Sequence, residues 1–198
     1  LPNGTQKEVK DMKIVFFGAE SSGKTTLALQ IAKYFSAFYC PEYVREYLTL
    51  RNLSPDRKNI VSVYADIEPM AVGQIALENS LENSYQNNLT EGEKKILVYD
   101  TNIETNYIYS LYYFQKVPEI LQQFVGQKQY DFYFLLYPNT PWVADGLRDS
   151  PENRAEMHQL FKDYLQTHQR NFVEINGDLA NRFTEVCQII STLLHQKP

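Results

Sequence analysis

The chain has 198 residues, 43% of them hydrophobic, and a net charge of -5, which suits one domain with a sizeable core and excludes the basic footprint of a nucleic-acid binder. No apolar run approaches the roughly 18 residues of a membrane span, so no membrane partner is expected. The two cysteines, Cys40 and Cys187, lie far apart in a chain without secretory features and read as reduced thiols of a cytoplasmic protein.

Residues 1 to 12 are polar and aperiodic, and read as a flexible arm or the tail of a linker from a missing upstream domain. Residues 13–198 then form a single domain. Ile14-Val15-Phe16-Phe17 is an apolar run rich in β-formers, as a buried parallel strand should be. It feeds directly into Gly18-Ala19-Glu20-Ser21-Ser22-Gly23-Lys24-Thr25, which fits the phosphate-loop pattern G-x-x-x-x-G-K-[ST]. A helix follows, with Leu27, Ala28, Ile31, Ala32 and Phe35 on one face. Strand, glycine loop and helix N-terminus together present backbone N–H groups to an anion. Lys24 can reach the β- and γ-phosphates, and the Thr25 hydroxyl can ligate Mg²⁺. The nucleotide contacts assigned to this stretch run from Gly18 through Ala19, Glu20, Ser21, Ser22, Gly23, Lys24 and Thr25 to Thr26.

A short second strand, Ala37-Phe38-Tyr39-Cys40, stops at Pro41. Glu42-Tyr43-Val44-Arg45-Glu46-Tyr47 lies directly past its end, where open α/β sheets bind ligands. This stretch reads either as an acceptor site, with a carboxylate to take a hydroxyl proton, or as a solvated helix start with an internal Arg–Glu pair. Pro69 fits the first turn of a helix running to about Gln86. Gln74 and Glu78 share a face of it, either solvated or turned to a ligand.

Ile96-Leu97-Val98-Tyr99-Asp100 ends an apolar strand in an acid. After a phosphate loop this is the usual second nucleotide-site strand, whose Asp binds Mg²⁺; the alternative is a helix cap. Thr101, Asn102 and Thr105 follow in the same crevice, and Tyr107, Ile108, Leu111, Tyr112 and Phe114 then form an aromatic helical stripe that reads as core rather than as a base-stacking platform. Tyr130 to Tyr137 is a buried strand ended by Pro138. Beyond it lie Trp142, Asp145 and Arg148, then Arg154 at the start of a helix to Gln166. Two arginines after the fourth strand read as a lid over residues 141–155, because guanidinium forks stabilise phosphoryl charge. Phe172 to Asn176 is a fifth strand. Its Asn176-Gly177-Asp178 turn either carries adenine or is a plain turn, and Arg182 opens the last helix. His158, His168 and His195 lack metal-ligand spacing and read as surface helix positions.

Five strands alternating with helices imply a doubly wound parallel α/β sheet with one nucleotide site. The phosphate loop with Thr26-Leu27, the Glu42 to Tyr47 stretch, Asp100-Thr101-Asn102, and Tyr130-Asp131 through Pro141-Trp142-Val143-Ala144-Asp145-Gly146-Leu147-Arg148 resemble the NadR-type ribosylnicotinamide kinase domain. The resemblance implies a three-layer P-loop kinase fold with sheet order 2-3-1-4-5. It implies transfer of the ATP γ-phosphate to the 5′-hydroxyl of nicotinamide riboside. The implied catalytic residues are Lys24, Glu42, Asp100, Arg148 and Arg154, with Thr25 and Asp100 on Mg²⁺. Glu42, Tyr43, Arg45, Glu46, Asn102, Trp142 and Asp145 would hold the riboside, and Asn176 and Arg182 would join the ATP site. Two positions depart from the pattern: Asn102 stands where the family often has Asp, and Pro41 where some members have an aromatic. The phosphate loop reads only the donor, so a kinase for another nucleoside or nucleotide, or a non-catalytic ATP- or GTP-binding switch or adaptor, are the alternatives.

Overall fold

In the computed structural model, residues 12–53, 62–87, 96–141 and 153–195 are described. Alternation along β1 (Met12–Phe17) sends Ile14 and Phe16 to one face of the sheet and Val15 and Phe17 to the other, all fully buried. A strand buried on both faces needs helices on both sides. On one side α1 (Lys24–Tyr34) and α7 (Leu179–His195) supply Leu27, Ala28, Ile31, Val186 and Ile190. On the other, α3 (Tyr64–Asn87), α4 (Ile103–Phe114) and α6 (Arg154–Thr167) supply Tyr85, Ile108 and Phe161.

The sheet is parallel throughout. β1 pairs with β3 (Ile96–Asp100) on one side and β4 (Phe132–Leu136) on the other. β2 (Phe38–Cys40) lies outside β3, and β5 (Phe172–Ile175) outside β4. The order is therefore β2-β3-β1-β4-β5, as the resemblance implied. Two smaller helices complete the described chain, α2 (Tyr43–Arg51) and α5 (Glu119–Phe124). Among the described residues no helix is long and apolar enough to cross a membrane.

Several local expectations change. Met12, assigned by composition to the arm, opens β1. Helix α3 starts at Tyr64, five residues before Pro69, which lies inside it. Asp66 explains the early start. Its carboxylate accepts from the Val63 amide at 2.8 Å and the Tyr47 hydroxyl at 3.0 Å, and it pairs with Arg51. The Val63 contact closes the first turn of α3 and the other two tie it to α2, ahead of where the proline signal alone places the start. Gln74 and Glu78 are neither solvated nor turned to a ligand: they are 1% and 0% exposed and bonded to each other. His158 is not on the surface either, being buried beside Glu174 at 3.1 Å and against the Tyr137 ring. Leu111 is exposed, so the core stripe of α4 is narrower than its apolar residues suggested. Cys40 and Cys187 are both free thiols.

Candidate active site

The site begins at the end of β1, where the chain must turn sharply under the end of β4. Gly18 makes that turn at φ +128°, and a Cβ there would lie 2.9 Å from the Leu136 carbonyl. Only glycine meets both the dihedral and the close approach. Gly23, at φ +88°, opens α1. Lys24, the first residue of α1, folds back over the loop, its Nζ donating to the Gly18 and Ala19 carbonyls at 2.9 and 2.8 Å. Burial pushes the Lys24 ammonium below its usual pKa, while the charges of Glu42, Asp100 and Glu20 act to raise it.

Asp100 ends β3 beside this loop. Its Oδ2 accepts from Tyr39 at 3.0 Å, and its buried Oδ1 has no hydrogen-bond partner. Burial raises the Asp100 pKa and the nearby Glu42 charge adds to that, while Thr25, Lys24 and Tyr39 pull it down. The next residue, Thr101, holds φ +67°. A β-branched side chain there costs about 1–3 kcal/mol, and the strain sits directly behind the carboxylate.

Glu42 precedes the first turn of α2, and its Oε2 accepts from Arg45 Nε at 2.9 Å. The internal Arg–Glu pair of the plain reading therefore exists. Both partners nonetheless line a cavity of about 810 Å³ that also reaches Lys24 and Thr25. This is the size of a small-molecule site.

Of the loop residues assigned to ATP, Glu20, Ser21, Ser22, Gly23, Lys24, Thr25 and Thr26 line this cavity, while Gly18 and Ala19 are buried and do not line it. Asp100 does not line it either, but interacts with Lys24, Thr25 and Glu42. Of the residues assigned to the acceptor, Glu42 and Arg45 reach the cavity; Tyr43, Glu46 and Asn102 do not. The Tyr43 ring packs on Gly73 of α3, and Glu46 is exposed. Asn102 is fully buried, its Nδ2 donating to Glu104 at 3.2 Å, in a cluster where Glu104 also takes Tyr133 Oη at 2.6 Å and Arg170 at 2.5 Å. Trp142, Asp145 and Arg148 lie outside the described residues, as does most of the expected lid.

The two remaining arginines grip the loop from behind. Arg154 donates to the Ser21 carbonyl at 3.0 Å and the Thr140 carbonyl at 2.9 Å. Arg182 is 2% exposed and donates to the carbonyls of Ser22 at 2.6 Å, Tyr137 at 2.7 Å and Gly177 at 2.8 Å, and to Asn139. With four of its five N–H groups spent on protein oxygens, Arg182 braces the phosphate loop as a strut. Asn176 is likewise engaged, its Oδ1 accepting from Gly177 N and Asn139 Nδ2, each at 2.7 Å. Arg182 is not the first residue of α7 but its fourth, behind an Asp178 cap on the Asn181 amide at 2.8 Å.

Sequence reasoning placed Thr105 in this crevice but missed the rest of the α4 wall: Asn106, Tyr109 and Tyr113 line the cavity with it, and so does Phe114, which was expected in the core. Buried Thr105 Oγ1 and Asn106 Nδ2 lack protein partners. Burial, with Glu20 and Glu42 nearby, raises the Tyr109 pKa well above its usual value. The signal was present, since Thr105, Tyr109 and Tyr113 recur every four residues on a helix that starts just past Asp100.

Residues 13–182 match the profile of the family described as an AAA domain. The trifunctional NAD biosynthesis/regulator protein NadR of Escherichia coli is 27% identical over 187 residues, 93% of this chain and 43% of that protein. The protein of the same name from Salmonella typhimurium is 26% identical over the same shares. Among solved structures, a NadR protein in complex with NR matches with a TM-score of 0.72 at 21% identity, over 94% of this chain and 52% of that one. Thymidylate kinase from Ehrlichia chaffeensis matches with a TM-score of 0.62 at 18% identity, over 91% and 98%. The chain thus spans between 43% and 52% of the length of these NadR relatives. With its phosphate loop, its sheet order and a profile match over most of its length, the chain belongs to the AAA-domain family and is similar, over nearly all its residues, to one part of NadR.

Proposed function

We propose that this protein transfers the γ-phosphoryl group of ATP to the 5′-hydroxyl of nicotinamide riboside, giving nicotinamide mononucleotide and ADP. One observation carries the reading: Lys24 and Thr25 of the phosphate loop and the Glu42–Arg45 pair line the same cavity of about 810 Å³. A donor grip and an acceptor acid in one space serve group transfer, and a switch needs only the former.

In this reading the loop and Lys24 hold the β- and γ-phosphates. Lys24 leaves the Gly18 and Ala19 carbonyls to do so. Asp100 and the Thr25 hydroxyl are hard oxygen donors suited to Mg²⁺, and the unpartnered Asp100 Oδ1 is the atom that fits it. The ion, when bound, neutralises charge on the phosphate oxygens. Glu42, held by Arg45, accepts the proton of the attacking hydroxyl as the O–P bond forms and the β–γ bridge breaks; Asp100 is the second candidate base. Thr105 and Asn106 offer unused polar atoms to ribose hydroxyls. Arg148, from the segment that follows Pro141, supplies guanidinium charge to the transferring group, and Arg154 joins it by leaving the Ser21 and Thr140 carbonyls to which it donates.

Nicotinamide riboside carries a cationic pyridinium ring. Glu20 and Glu42 with the Tyr109, Tyr113 and Phe114 wall favour such a ring over a neutral base, through charge and cation–π attraction. The reduced thiols and the need for ATP suit a cytoplasmic setting. The test is ADP release with nicotinamide riboside against uridine, adenosine, thymidine and thymidylate. Riboside-dependent release well above the others supports the reading. A stronger response to a neutral nucleoside assigns a different acceptor, and ATP or GTP binding without any acceptor response assigns a switch.

A further inference from the structure

Helix α2 opens without a side-chain cap of its own. The amide at its first position, that of Tyr43, has no acceptor within the helix and donates instead to Gln74 Oε1 of α3 at 3.0 Å. Gln74 is oriented from behind: its Nε2 donates to Glu78 Oε1 at 3.1 Å, one turn along. Glu78 is fixed in turn by the Tyr130 hydroxyl, which donates to Oε2 at 2.6 Å, and by Lys128 Nζ at 3.3 Å. None of these side chains lines the cavity. Gly73, the neighbour of Gln74, meets the same residue by another route. A Cβ on Gly73 would lie 1.9 Å from Tyr43 Cε1 and 2.3 Å from Cδ1. Glycine inside a helix costs about 1 kcal/mol relative to alanine, and here that cost lets the tyrosine ring lie on the α3 backbone.

We propose that Gly73 and Gln74 are positioning residues for the acceptor side of the site: together they hold Tyr43 by ring and amide, and so set the Glu42 carboxylate and its Arg45 partner in the cavity. The cradle is specific to this half of the site, because it bonds α2 and not the phosphate loop. The inference rests on the reading of Glu42 as the group that meets the acceptor hydroxyl.

The test is made on the full chain with ATP and nicotinamide riboside. Gln74→Leu should lower kcat about 10- to 100-fold, since a misplacement of about 1 Å can cost about 10²-fold, while ATP affinity is unchanged. Gly73→Ala should do the same through the ring. Interchanging the pair, Gln74→Glu with Glu78→Gln, keeps an acceptor for the Tyr43 amide and a donor between the two helical positions, and should recover most of the lost turnover. Hydrogen exchange at the Tyr43 amide should be slow in the wild type, fast in Gln74→Leu and slow again in the interchange. Wild-type turnover in Gln74→Leu and Gly73→Ala, equal losses of ATP affinity and turnover, or no recovery in the interchange would each overturn the proposal. If the wild-type chain shows no riboside-dependent ADP release, the functional reading fails by itself. The cradle is then decided by the amide alone, and is wrong if Gln74→Leu leaves its exchange unchanged.

Discussion

Replacing Arg182 by methionine separates a strut from a nucleotide ligand. Methionine keeps an unbranched stem in a site that is 2% exposed, and removes every donor. Three backbone carbonyls, of Ser22, Tyr137 and Gly177, then lose a charged partner at 2.6–2.8 Å. A hydrogen bond from a charged donor contributes about 1.5–3 kcal/mol. With the low figure at each carbonyl, and water recovering part of it at the outer ones, the loss is about 3–4 kcal/mol. For a domain of this size that lowers Tm by roughly 6–16 °C. Release of the Ser22 carbonyl also loosens the phosphate loop, so ATP affinity falls as a secondary effect. Thermal unfolding followed by circular dichroism, with and without ATP, is the assay. A Tm within about 2 °C of the wild type, a shift too small for the loss of one such bond, together with a marked loss of ATP affinity would refute the strut and restore Arg182 as a nucleotide contact.

Other outcomes follow from the same geometry. Glu42→Gln should abolish phosphoryl transfer while leaving ATP binding intact; wild-type turnover would remove Glu42 as base. Asp100 has a pKa raised in the folded chain, mainly by burial, so its contribution to stability is full below the ordinary aspartate range and is lost as pH rises through the raised value. Asp100→Asn should therefore be more stable than the wild type at pH near 8 without metal, the gap should close as pH falls below the aspartate range, and added Mg²⁺ with ATP should stabilise the wild type alone. A gap that does not vary with pH in unfolding curves would contradict this. Arg148→Ala should lower kcat by about 10³-fold or more with ATP affinity little changed, measured by steady-state kinetics and calorimetry; parallel losses would argue against a lid arginine.

The parts of the fold written in local chemistry were readable in advance. β1, the glycine loop and α1 follow from an apolar run, two glycines with special backbone demands and a periodic stripe. β3 was placed to the residue because Ile96 to Tyr99 is continuous apolar sequence closed by an acid. What was not readable depended on distant partners. The start of α3 is set by Asp66 meeting Tyr47 and Arg51, which overrode the proline signal. Gln74 and Glu78 look like a solvated helical pair until Tyr43, Tyr130 and Lys128 are placed around them. His158 is buried because β5 presents Glu174 to it. At the site, an acid and a lysine at strand and helix ends were recognisable by type and position. The direction of each α2 side chain was not, so Glu42 and Arg45 reach the cavity while Tyr43 and Glu46, adjacent in sequence, do not. The aromatic stripe of Tyr107, Tyr112 and Phe114 reads as one core face, yet Phe114 lines the cavity together with Tyr109 and Tyr113, which the stripe leaves out.

Identification of the product tests phosphoryl transfer to the riboside directly. The chain is incubated with ATP, Mg²⁺ and nicotinamide riboside, and the mixture is followed by phosphorus NMR and mass spectrometry. A 5′-monophosphate of the riboside should form in step with ADP, and none should form with the Glu42→Gln variant. ADP accumulating with inorganic phosphate while the riboside stays unmodified would contradict transfer to the riboside.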